Sequence, residues 1–158
     1  MKQKWNQGER YAFKSLGQHF LQNEEIAFRI ADCLPRNIDV NTVLEVGPGP
    51  GILSRQLYKL YSSKLNLIEL DKRFFLDRKA EFPLIEHQIF NEDLLKFDLQ
   101  KVDSPVAIIG NFPYNISSQI LFYTLDNKEI VPCIAGMFQK EMALRVVAPP
   151  GKKDYGIL

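Results

Sequence analysis

The stretch Glu45-Val46-Gly47-Pro48-Gly49-Pro50-Gly51 joins an apolar, strand-like segment, Thr42–Val46, to a helix-like segment, Ile52–Tyr61. Its three glycines let the backbone turn sharply and let a ligand approach closely, because they carry no Cβ. The helix that follows begins with free backbone N–H groups, which add hydrogen-bond donors at the same place. A strand-to-helix turn without any ligand would use the same residues. The loop alone therefore predicts a strand–turn–helix unit and leaves the ligand open.

Strand-like and helix-like segments alternate along the rest of the chain. Ile26, Ile30 and Leu34 recur every four residues, as one face of a helix requires, and Pro35 ends that pattern. Strands separated by helices of this size predict an α/β fold with a doubly wound, mostly parallel sheet. The predicted strands are residues 42–46, 65–70, 84–89, 105–110 and 132–138, and the predicted helices are residues 24–34, 52–61, 72–80, 117–125 and 140–148.

Acidic residues follow the second and third predicted strands. Glu69 ends the second strand, 18 residues after Gly51, where a carboxylate can accept hydrogen bonds from both hydroxyls of a ribose. Asp71 is a second candidate on the same side if the strand continues. Asp93, just past the third strand, fits either a hydrogen bond to an adenine amine or the cap of the next turn. An NAD-binding domain uses the same loop and acid, so these residues do not name the cofactor.

Together these residues resemble a known group of enzymes. Residues 47–51, Glu69 and Asp93, in this order and at these strand ends, are similar to the cofactor-binding residues of class I S-adenosylmethionine-dependent methyltransferases. The pattern Glu-x-Gly-x-Gly-x-Gly favours that group over dinucleotide oxidoreductases, whose glycine spacing is Gly-x-Gly-x-x-Gly.

The segment Asn111-Phe112-Pro113-Tyr114 follows the fourth predicted strand and so lies beside the expected cofactor crevice. Amine methylation requires alignment of the nitrogen with the S–CH3 bond, and acceptors on its N–H groups stabilise the developing positive charge. Asn111 offers a side-chain carbonyl, and the backbone carbonyl of Phe112 or Pro113 is expected to accept the second N–H. Pro113 also restricts the turn, and Tyr114 offers a flat face for an extruded base. The alternative is an aromatic-proline turn that only closes the strand.

This segment resembles the Asn/Asp-Pro-Pro-Tyr motif of methyltransferases that act on exocyclic nitrogens, and its Phe form is similar to the rRNA adenine dimethyltransferase family. Residues 15–21 resemble that family's N-terminal Gly-Gln-Asn/His-Phe-Leu element. Residues 138–141 and 150–156 resemble its segment after the fifth strand. The resemblance runs from about Lys14 to Leu158, which is nearly the whole chain.

The resemblance implies transfer of methyl groups from S-adenosylmethionine to the N6 amine of two adjacent adenines in small-subunit rRNA, with a role in ribosome biogenesis. The implied partner is a pre-30S ribosomal particle. Catalytic roles are implied for Asn111, Pro113 and Tyr114. Contacts with the cofactor are implied for His19, Leu21, Gly47, Gly49, Glu69, Asp93 and Asn111.

The charge of the chain is nearly balanced, at +1, which is weak for a nucleic-acid binder. Residues 1–14 hold four basic side chains and one acidic one (4 − 1 = +3) and are predicted to be a basic N-terminal extension. Lys14, Lys140 and Arg145 are candidates to contact RNA phosphates. Solvated surface charge is the alternative for all three.

The composition, 46% hydrophobic and 25% charged in 158 residues, is that of one globular domain. No apolar run approaches the roughly 20 residues of a membrane helix. The polar start does not resemble a signal peptide, so a cytoplasmic protein with no membrane partner is predicted. Cys33 and Cys133 are too few and too distant in sequence for a metal site, and both are predicted to be buried apolar residues. No metal is expected.

The resemblance also predicts parts that this chain lacks. The family continues with a strand hairpin that completes the sheet and then with a helical RNA-binding domain. Residues 15–158 are therefore predicted to be an incomplete methyltransferase domain, with residues 133–138 as an exposed edge strand. We expect such a chain to bind cofactor but to methylate poorly. Two other functions remain open: a non-catalytic RNA-binding or ribosome assembly factor on the same fold, and an NAD-dependent oxidoreductase.

Overall fold

The computed structural model describes residues 20–151 and residue 155. Within them lie five strands and five α-helices, joined by short 3-10 turns. The strands are β1 (Thr42–Val46), β2 (Leu65–Ile68), β3 (Ile89–Phe90), β4 (Val106–Asn111) and β5 (Cys133–Met137). The helices are α1 (Glu24–Ala31), α2 (Ile52–Tyr61), α3 (Lys72–Glu81), α4 (Ser117–Asp126) and α5 (Lys140–Val147). The predicted basic extension and His19 lie outside the described residues.

The five strands run parallel in one sheet, in the order β3-β2-β1-β4-β5. At the end of β1, Val46 is in register with Ile68 of β2 on one side and with Gly110 of β4 on the other. The chain thus builds outward from β1 to β3 and then crosses to the other side of β1. This reversal creates a crevice beyond the carboxyl ends of β1 and β4, where sheets of this kind bind ligands. The predicted doubly wound parallel sheet is confirmed.

Apolar side chains form a core on each face of the sheet, because successive strand residues point to opposite faces. Val43 packs with residues of α1 and α2, whereas Leu44 packs with Ile120 of α4. Alternation puts Glu45 on the same face as Val43, which directs its side chain toward α2 and α3. An acidic residue of the glycine motif is therefore inside the protein, next to the helices that follow β1 and β2.

The prediction of a third strand at residues 84–89 is wrong for all of these residues except the last. A 3-10 segment occupies Pro83–Gln88, and β3 comprises only Ile89–Phe90. The proline that starts this segment has no N–H for a sheet ladder. At Ile85 the backbone turns (φ −117°, ψ 21°) and buries that side chain, while the Leu84 side chain is 79% exposed. The apolar residues of this stretch serve a compact turn and not an extended strand.

Two other predicted boundaries differ from the structure by two or more residues. α1 ends at Ala31 and not at residue 34, and β2 ends at Ile68, before the predicted residue 70. Ser117 is the first residue of α4, and its Oγ donates a hydrogen bond to the carbonyl oxygen of Tyr114 at 3.2 Å, which ties the helix to the turn before it.

The prediction that both cysteines are buried is wrong for Cys33, which is exposed. Because α1 has already ended, Cys33 leaves the apolar helix face, and its Sγ contacts the carbonyl oxygen of Ile30 at 2.9 Å. Cys133 is half-buried in β5. Among the described side chains there is no cluster of three or more metal-ligating groups, and no described helix is long and apolar enough to cross a membrane.

The β5 side of the molecule is the least covered. Each residue of β5 is only half-buried, and α5 contains no buried residue. Within the described part of the chain, β5 pairs with β4 alone and is thus an edge of the sheet.

Candidate functional site

A cleft opens at the carboxyl ends of the strands, where the reversal of strand order predicts a ligand site. Its walls come from the segment before α1, the glycine loop, the ends of β2 and β3, and the turn after β4. Tyr114 is half-buried in the next turn and does not line it. The predicted site residues that line the cleft are Leu21, Gly47, Gly49, Glu69, Asp93, Asn111 and Pro113.

The glycine loop is tied to β2 at its start and turns tightly at its end. The N–H of Gly47 donates to the carbonyl oxygen of Ile68 at 2.9 Å, and the N–H of Gly51 donates to that of Pro48 at 2.9 Å. Gly51 has a left-handed backbone (φ 83°), and a Cβ on it would lie 1.3 Å from Nη1 of Arg78. Glycine is therefore required here both by backbone geometry and by space.

The carboxylate of Glu69 is the best-held acidic group of the cleft. Its Oε2 accepts a hydrogen bond from the N–H of Gly49 at 2.9 Å, and its Oε1 accepts one from the N–H of Asp71 at 2.8 Å. Burial raises the pKa of Glu69, and these two N–H bonds lower it in part. A carboxylate has about four acceptor positions, so about two remain for a ligand.

Glu45 lies behind the same loop and is only 1% exposed. Burial raises the pKa of Glu45 to about 8, and the facing Ser54 hydroxyl and Arg78 guanidinium lower it in part. Its Oε2 has no hydrogen-bond partner among the described residues. The cleft wall therefore contains two buried carboxyls, of which Glu69 is anchored at both oxygens and Glu45 is not.

The two aspartates are engaged in capping. Oδ1 of Asp93 accepts a hydrogen bond from the N–H of Leu95 at 3.0 Å and so caps a 3-10 turn, while the residue also lines the cleft. The cap uses Oδ1, so the lone pairs of Oδ2 remain available to accept a hydrogen bond from a ligand. The two predicted roles of Asp93, capping a turn and binding an adenine amine, are therefore compatible. Asp71 is different: β2 ends before it, and its carboxylate caps α3 and pairs with Arg73. Asp71 was predicted to face the ribose only if the strand continued to it. Because β2 ends earlier, that prediction is wrong.

The segment after β4 is anchored by its phenylalanine. Phe112 is 1% exposed, its ring lies 4.7 Å from that of Phe138, and its N–H donates to the carbonyl oxygen of Met137 at 3.2 Å. With Phe112 fixed in the core, its neighbours Asn111 and Pro113 both line the cleft. The carbonyl oxygen of Pro113 accepts a hydrogen bond from the N–H of Ile116 at 3.3 Å. The turn is thus held by backbone bonds and core packing.

The ionisable side chains among the described residues that line the cleft are all acidic. Glu45, Glu69, Glu92 and Asp93 line it, and no lysine or arginine is among its lining residues in the described chain. Glu92 pairs with Lys101 at 2.7 Å, so its charge is offset at the rim. A cleft of this kind suits a ligand with positive charge.

The basic residues predicted to contact RNA are not in the cleft. Lys140 and Arg145 are exposed on α5, and Lys14 lies outside the described residues. Lys140 and Arg145 belong to α5, which follows β5. In the sheet, β5 lies next to β4, the strand that ends at Asn111.

Sequence reasoning missed two residues that shape the site. Phe20 lines the cleft, and its ring meets that of Phe74 edge-on at 5.3 Å. Arg78 is buried behind the glycine loop, where only 6% of it is exposed. A basic residue in the predicted third helix has no distinguishing pattern, so only the packing of α3 against the loop reveals it.

Solved structures with the same architecture indicate the class of protein to which this fold belongs. The dimethyladenosine transferase of Plasmodium falciparum superposes with a TM-score of 0.67 at 28% identity, over 87% of this chain and 50% of that one. The 23S rRNA methyltransferase ErmE superposes with a TM-score of 0.64 at 26% identity, over 80% of this chain and 50% of that one. The fold is that of a Rossmann-like methyltransferase.

Sequence comparisons assign the chain to one family among the proteins that share this fold. Residues 11–158 match the family model described as ribosomal RNA adenine dimethylase, and the chain belongs to that family. It is 45% identical over 150 residues to the ribosomal RNA small subunit methyltransferase A of Porphyromonas gingivalis, and 47% identical over 146 residues to that of Parabacteroides distasonis. These alignments include 93% and 92% of this chain but 57% and 54% of the relatives. The chain spans about half the length of the curated relatives it matches.

Proposed function

We propose that this chain is the cofactor-binding part of an enzyme that methylates the N6 amine of adenines in small-subunit rRNA. The methyl donor is S-adenosylmethionine, the targets are two adjacent adenines, and the substrate particle is a cytoplasmic pre-30S ribosomal particle. The observation that supports this most directly is that Glu69 and Asn111, distant in sequence, line one cleft in a member of the ribosomal RNA adenine dimethylase family.

The residues of the cleft fit this cofactor. S-adenosylmethionine supplies an activated methyl group on a sulfonium cation, and the lining of the cleft is acidic. Glu69 has acceptor positions left for the ribose hydroxyls, and Gly47 and Gly49 let the backbone approach the ligand. Asp93 is the candidate to accept a hydrogen bond from the adenine amine, and Leu21 is the candidate for apolar contact, because both line the cleft. His19 is a further candidate from the motif that precedes Phe20.

We assign the binding and orientation of the methyl acceptor, the target adenine, to Asn111, Pro113 and Tyr114. The Asn111 amide oxygen accepts a hydrogen bond from the target amine, which orients the nitrogen and stabilises positive charge on it. The Pro113 carbonyl oxygen already accepts one bond from Ile116, and its second lone pair is the candidate acceptor for the other N–H. Tyr114, in the next turn, is the candidate for stacking. Exposed Lys140 and Arg145 are candidates for phosphate contact.

The glycine spacing Gly-x-Gly-x-Gly of residues 47–51 weighs against the alternative of an NAD-dependent oxidoreductase, whose pattern is Gly-x-Gly-x-x-Gly. A non-catalytic RNA-binding or assembly factor would not need Asn111 at the rim of the cofactor cleft. The two alternatives therefore make different predictions for ligand binding and for substitution of Asn111.

The test is Asn111→Ala, assayed for methyl transfer from labelled S-adenosylmethionine to unmethylated 30S subunits. The assay uses the 158-residue chain and a chimera in which the C-terminal part of the P. gingivalis relative follows Leu158. We expect the chimera to be the more active form and Asn111→Ala to lower its turnover by roughly a hundredfold or more, as loss of one transition-state hydrogen bond does.

Asn37→Ala, which removes an exposed asparagine that does not line the cleft, is the matched control and should leave turnover unchanged. Calorimetry with S-adenosylhomocysteine and with NAD, on the same preparations, separates the two cofactors. Unchanged methylation by the Asn111→Ala chimera would refute the catalytic assignment, and binding of NAD alone would refute the cofactor.

A further inference from the structure

Asn91, the residue after β3, is hydrogen-bonded to the segment that follows β2. Its side-chain Nδ2 donates to the carbonyl oxygen of Glu69 at 2.7 Å and to that of Leu70 at 3.2 Å. Both partners are carbonyl oxygens, which only accept, so the group that faces them must be a donor. The two strands have already ended, β2 at Ile68 and β3 at Phe90. The side chain of Asn91 thus extends the hydrogen bonding between the two segments beyond the last paired residues of their strands.

The turn that carries Asp93 begins two residues after Asn91, and its other bonds are local. Oδ1 of Asp93 accepts the N–H of Leu95 at 3.0 Å, which orients the carboxylate within its own turn. The ion pair of Glu92 with Lys101, at 2.7 Å, likewise joins two residues of the same stretch of chain. Neither contact determines where the turn lies relative to β2. The hydrogen bonds from Asn91 do, because they cross from one segment to the other.

The proposed function gives the two segments contacts with two parts of one ligand, the ribose and the adenine of an adenosyl group. A single glycosidic bond joins these parts, so their hydrogen-bonding groups lie within a narrow range of separations. Hydrogen bonds weaken steeply outside their range of distance and angle, and small misplacements of a binding group remove much of its effect. Asp93 can therefore accept the adenine amine only if its turn lies at the right place relative to Glu69.

We propose that Asn91 is a positioning residue that determines specificity for adenine, because its amide holds the Asp93 turn at the place where one adenosyl group meets both Glu69 and Asp93. Asn91 is not among the described residues that line the cleft, so it acts through Asp93. This inference rests on the proposed function, which assigns Glu69 to the ribose and Asp93 to the adenine amine. An Asn91 that only stabilises the edge of the sheet is the competing explanation.

The test measures the preference of the 158-residue chain for S-adenosylhomocysteine over S-inosylhomocysteine, whose base has an oxygen in place of the amine. Calorimetry gives both affinities, and circular dichroism checks folding. We expect Asn91→Ala to weaken S-adenosylhomocysteine roughly tenfold, as loss of one hydrogen bond to a charged group does, and to change the analogue little. The preference should fall by the same factor. Asn91→Asp keeps the shape but not the donor, and should lower the preference at least as far.

Asn41→Ala is the matched control. Asn41 is also exposed, and its Nδ2 donates to the carbonyl oxygen of Ser104 at 2.6 Å, but it precedes β1 and so lies at the end of the sheet away from the cleft. This variant should keep the wild-type preference. Equal losses of both ligands in Asn91→Ala, or wild-type behaviour of Asn91→Asp, would show a purely structural role and overturn the proposal. In an Asp93→Ala background, Asn91→Ala should lower the preference no further, and an undiminished second loss would also overturn it. If Asn91→Ala does not fold, Asn91→Ser takes its place with the same criteria.

Hydrogen exchange of asparagine side-chain amides, followed by NMR, supplies a readout that needs no ligand. The signals lost in Asn91→Ala identify the Asn91 amide, which should exchange more slowly than that of the exposed Asn37. Equal exchange of the two amides would overturn the inference. A wild-type protein that binds both ligands equally would overturn it as well, together with the adenine role of Asp93. Failure of the wild type to bind S-adenosylhomocysteine would instead refute the proposed function, while amide exchange would still decide whether Asn91 joins the two segments.

Discussion

Two buried acids, Glu45 of the glycine motif and Glu69 after β2, differ in their hydrogen bonds. Glu69 accepts N–H bonds at both oxygens, whereas Oε2 of Glu45 accepts none from the described residues. Burial without compensation favours the neutral acid, which raises the pKa of Glu45 to about 8. The motif predicts an acid at residue 45, but the protonation of that acid follows from the helices that cover it.

The raised pKa of Glu45 predicts how stability depends on pH. In the unfolded chain Glu45 ionises near its ordinary value of 4.5, and in the folded chain near 8. Between these values the folded state binds the extra proton, so this contribution to the free energy of unfolding is complete below about pH 4.5 and is lost as pH rises through about 8. Glu45→Gln cannot ionise. Its stability relative to the wild type should therefore rise by ~2 kcal/mol or more between about pH 5 and pH 8.

Urea unfolding followed by circular dichroism across this range measures the difference. Glu129→Gln, at an exposed acid before β5, is the control and should track the wild type at every pH. A constant gap between Glu45→Gln and the wild type would mean that Glu45 ionises at an ordinary pH in the folded state.

At the scale of elements, the glycine loop and the start of α2 depend on a close approach by α3. Gly51→Ala puts a Cβ into a left-handed backbone and against the guanidinium of Arg78. The backbone cost is about 1–2 kcal/mol and overpacking adds about 1–3 kcal/mol, so we expect a loss of ~2 kcal/mol or more in the free energy of unfolding. Chemical denaturation measures it.

Gly47→Ala separates the two costs. Gly47 also has a positive φ (64°), but nothing lies within 4 Å of a Cβ built there, so only the backbone cost applies. The double variant Gly51→Ala/Arg78→Ala should recover part of the loss, because it removes the collision. Equal losses for Gly47→Ala and Gly51→Ala would contradict the close approach of Arg78.

The element that sequence reasoning misjudged is the one before β3. Apolar residues at 84, 85 and 89 suggest a strand, but a strand is made by pairing, and only Ile89 and Phe90 pair with β2. The earlier residues follow Pro83 and close onto the core through Ile85 alone. Local pattern does not distinguish a short 3-10 segment from a strand, because both bury isolated apolar residues.

For the whole molecule, the order of the sheet predicts a gradient of local stability. β1 and β4 have strands on both sides, whereas β5 has a neighbour on one side only within the described residues, and α5 covers it little. We expect hydrogen exchange of β5 amides that point away from β4 to be faster than that of β1 amides by about two orders of magnitude. Mass spectrometry or NMR of the 158-residue chain measures this.

Amides within β4, which is paired on both sides, are the internal control and should exchange as slowly as those of β1. Protection of β5 equal to that of β4, independent of protein concentration, would contradict the edge assignment. Protection that grows with concentration would indicate that two copies pair along β5, a hazard of any open strand edge.

The sequence by itself determined the alternation of strands and helices, the parallel sheet and the segments that follow strand ends, because periodicity and glycine or proline punctuation are local properties. Only the tertiary structure decided that the loop, Glu69 and Asn111 share one cleft lined by acids, that Asp71 caps α3, and that Arg78 stands behind Gly51. These facts depend on which surfaces pack together. Burial, and the protonation that follows from it, is a property of that packing and is not encoded in any short pattern of residues.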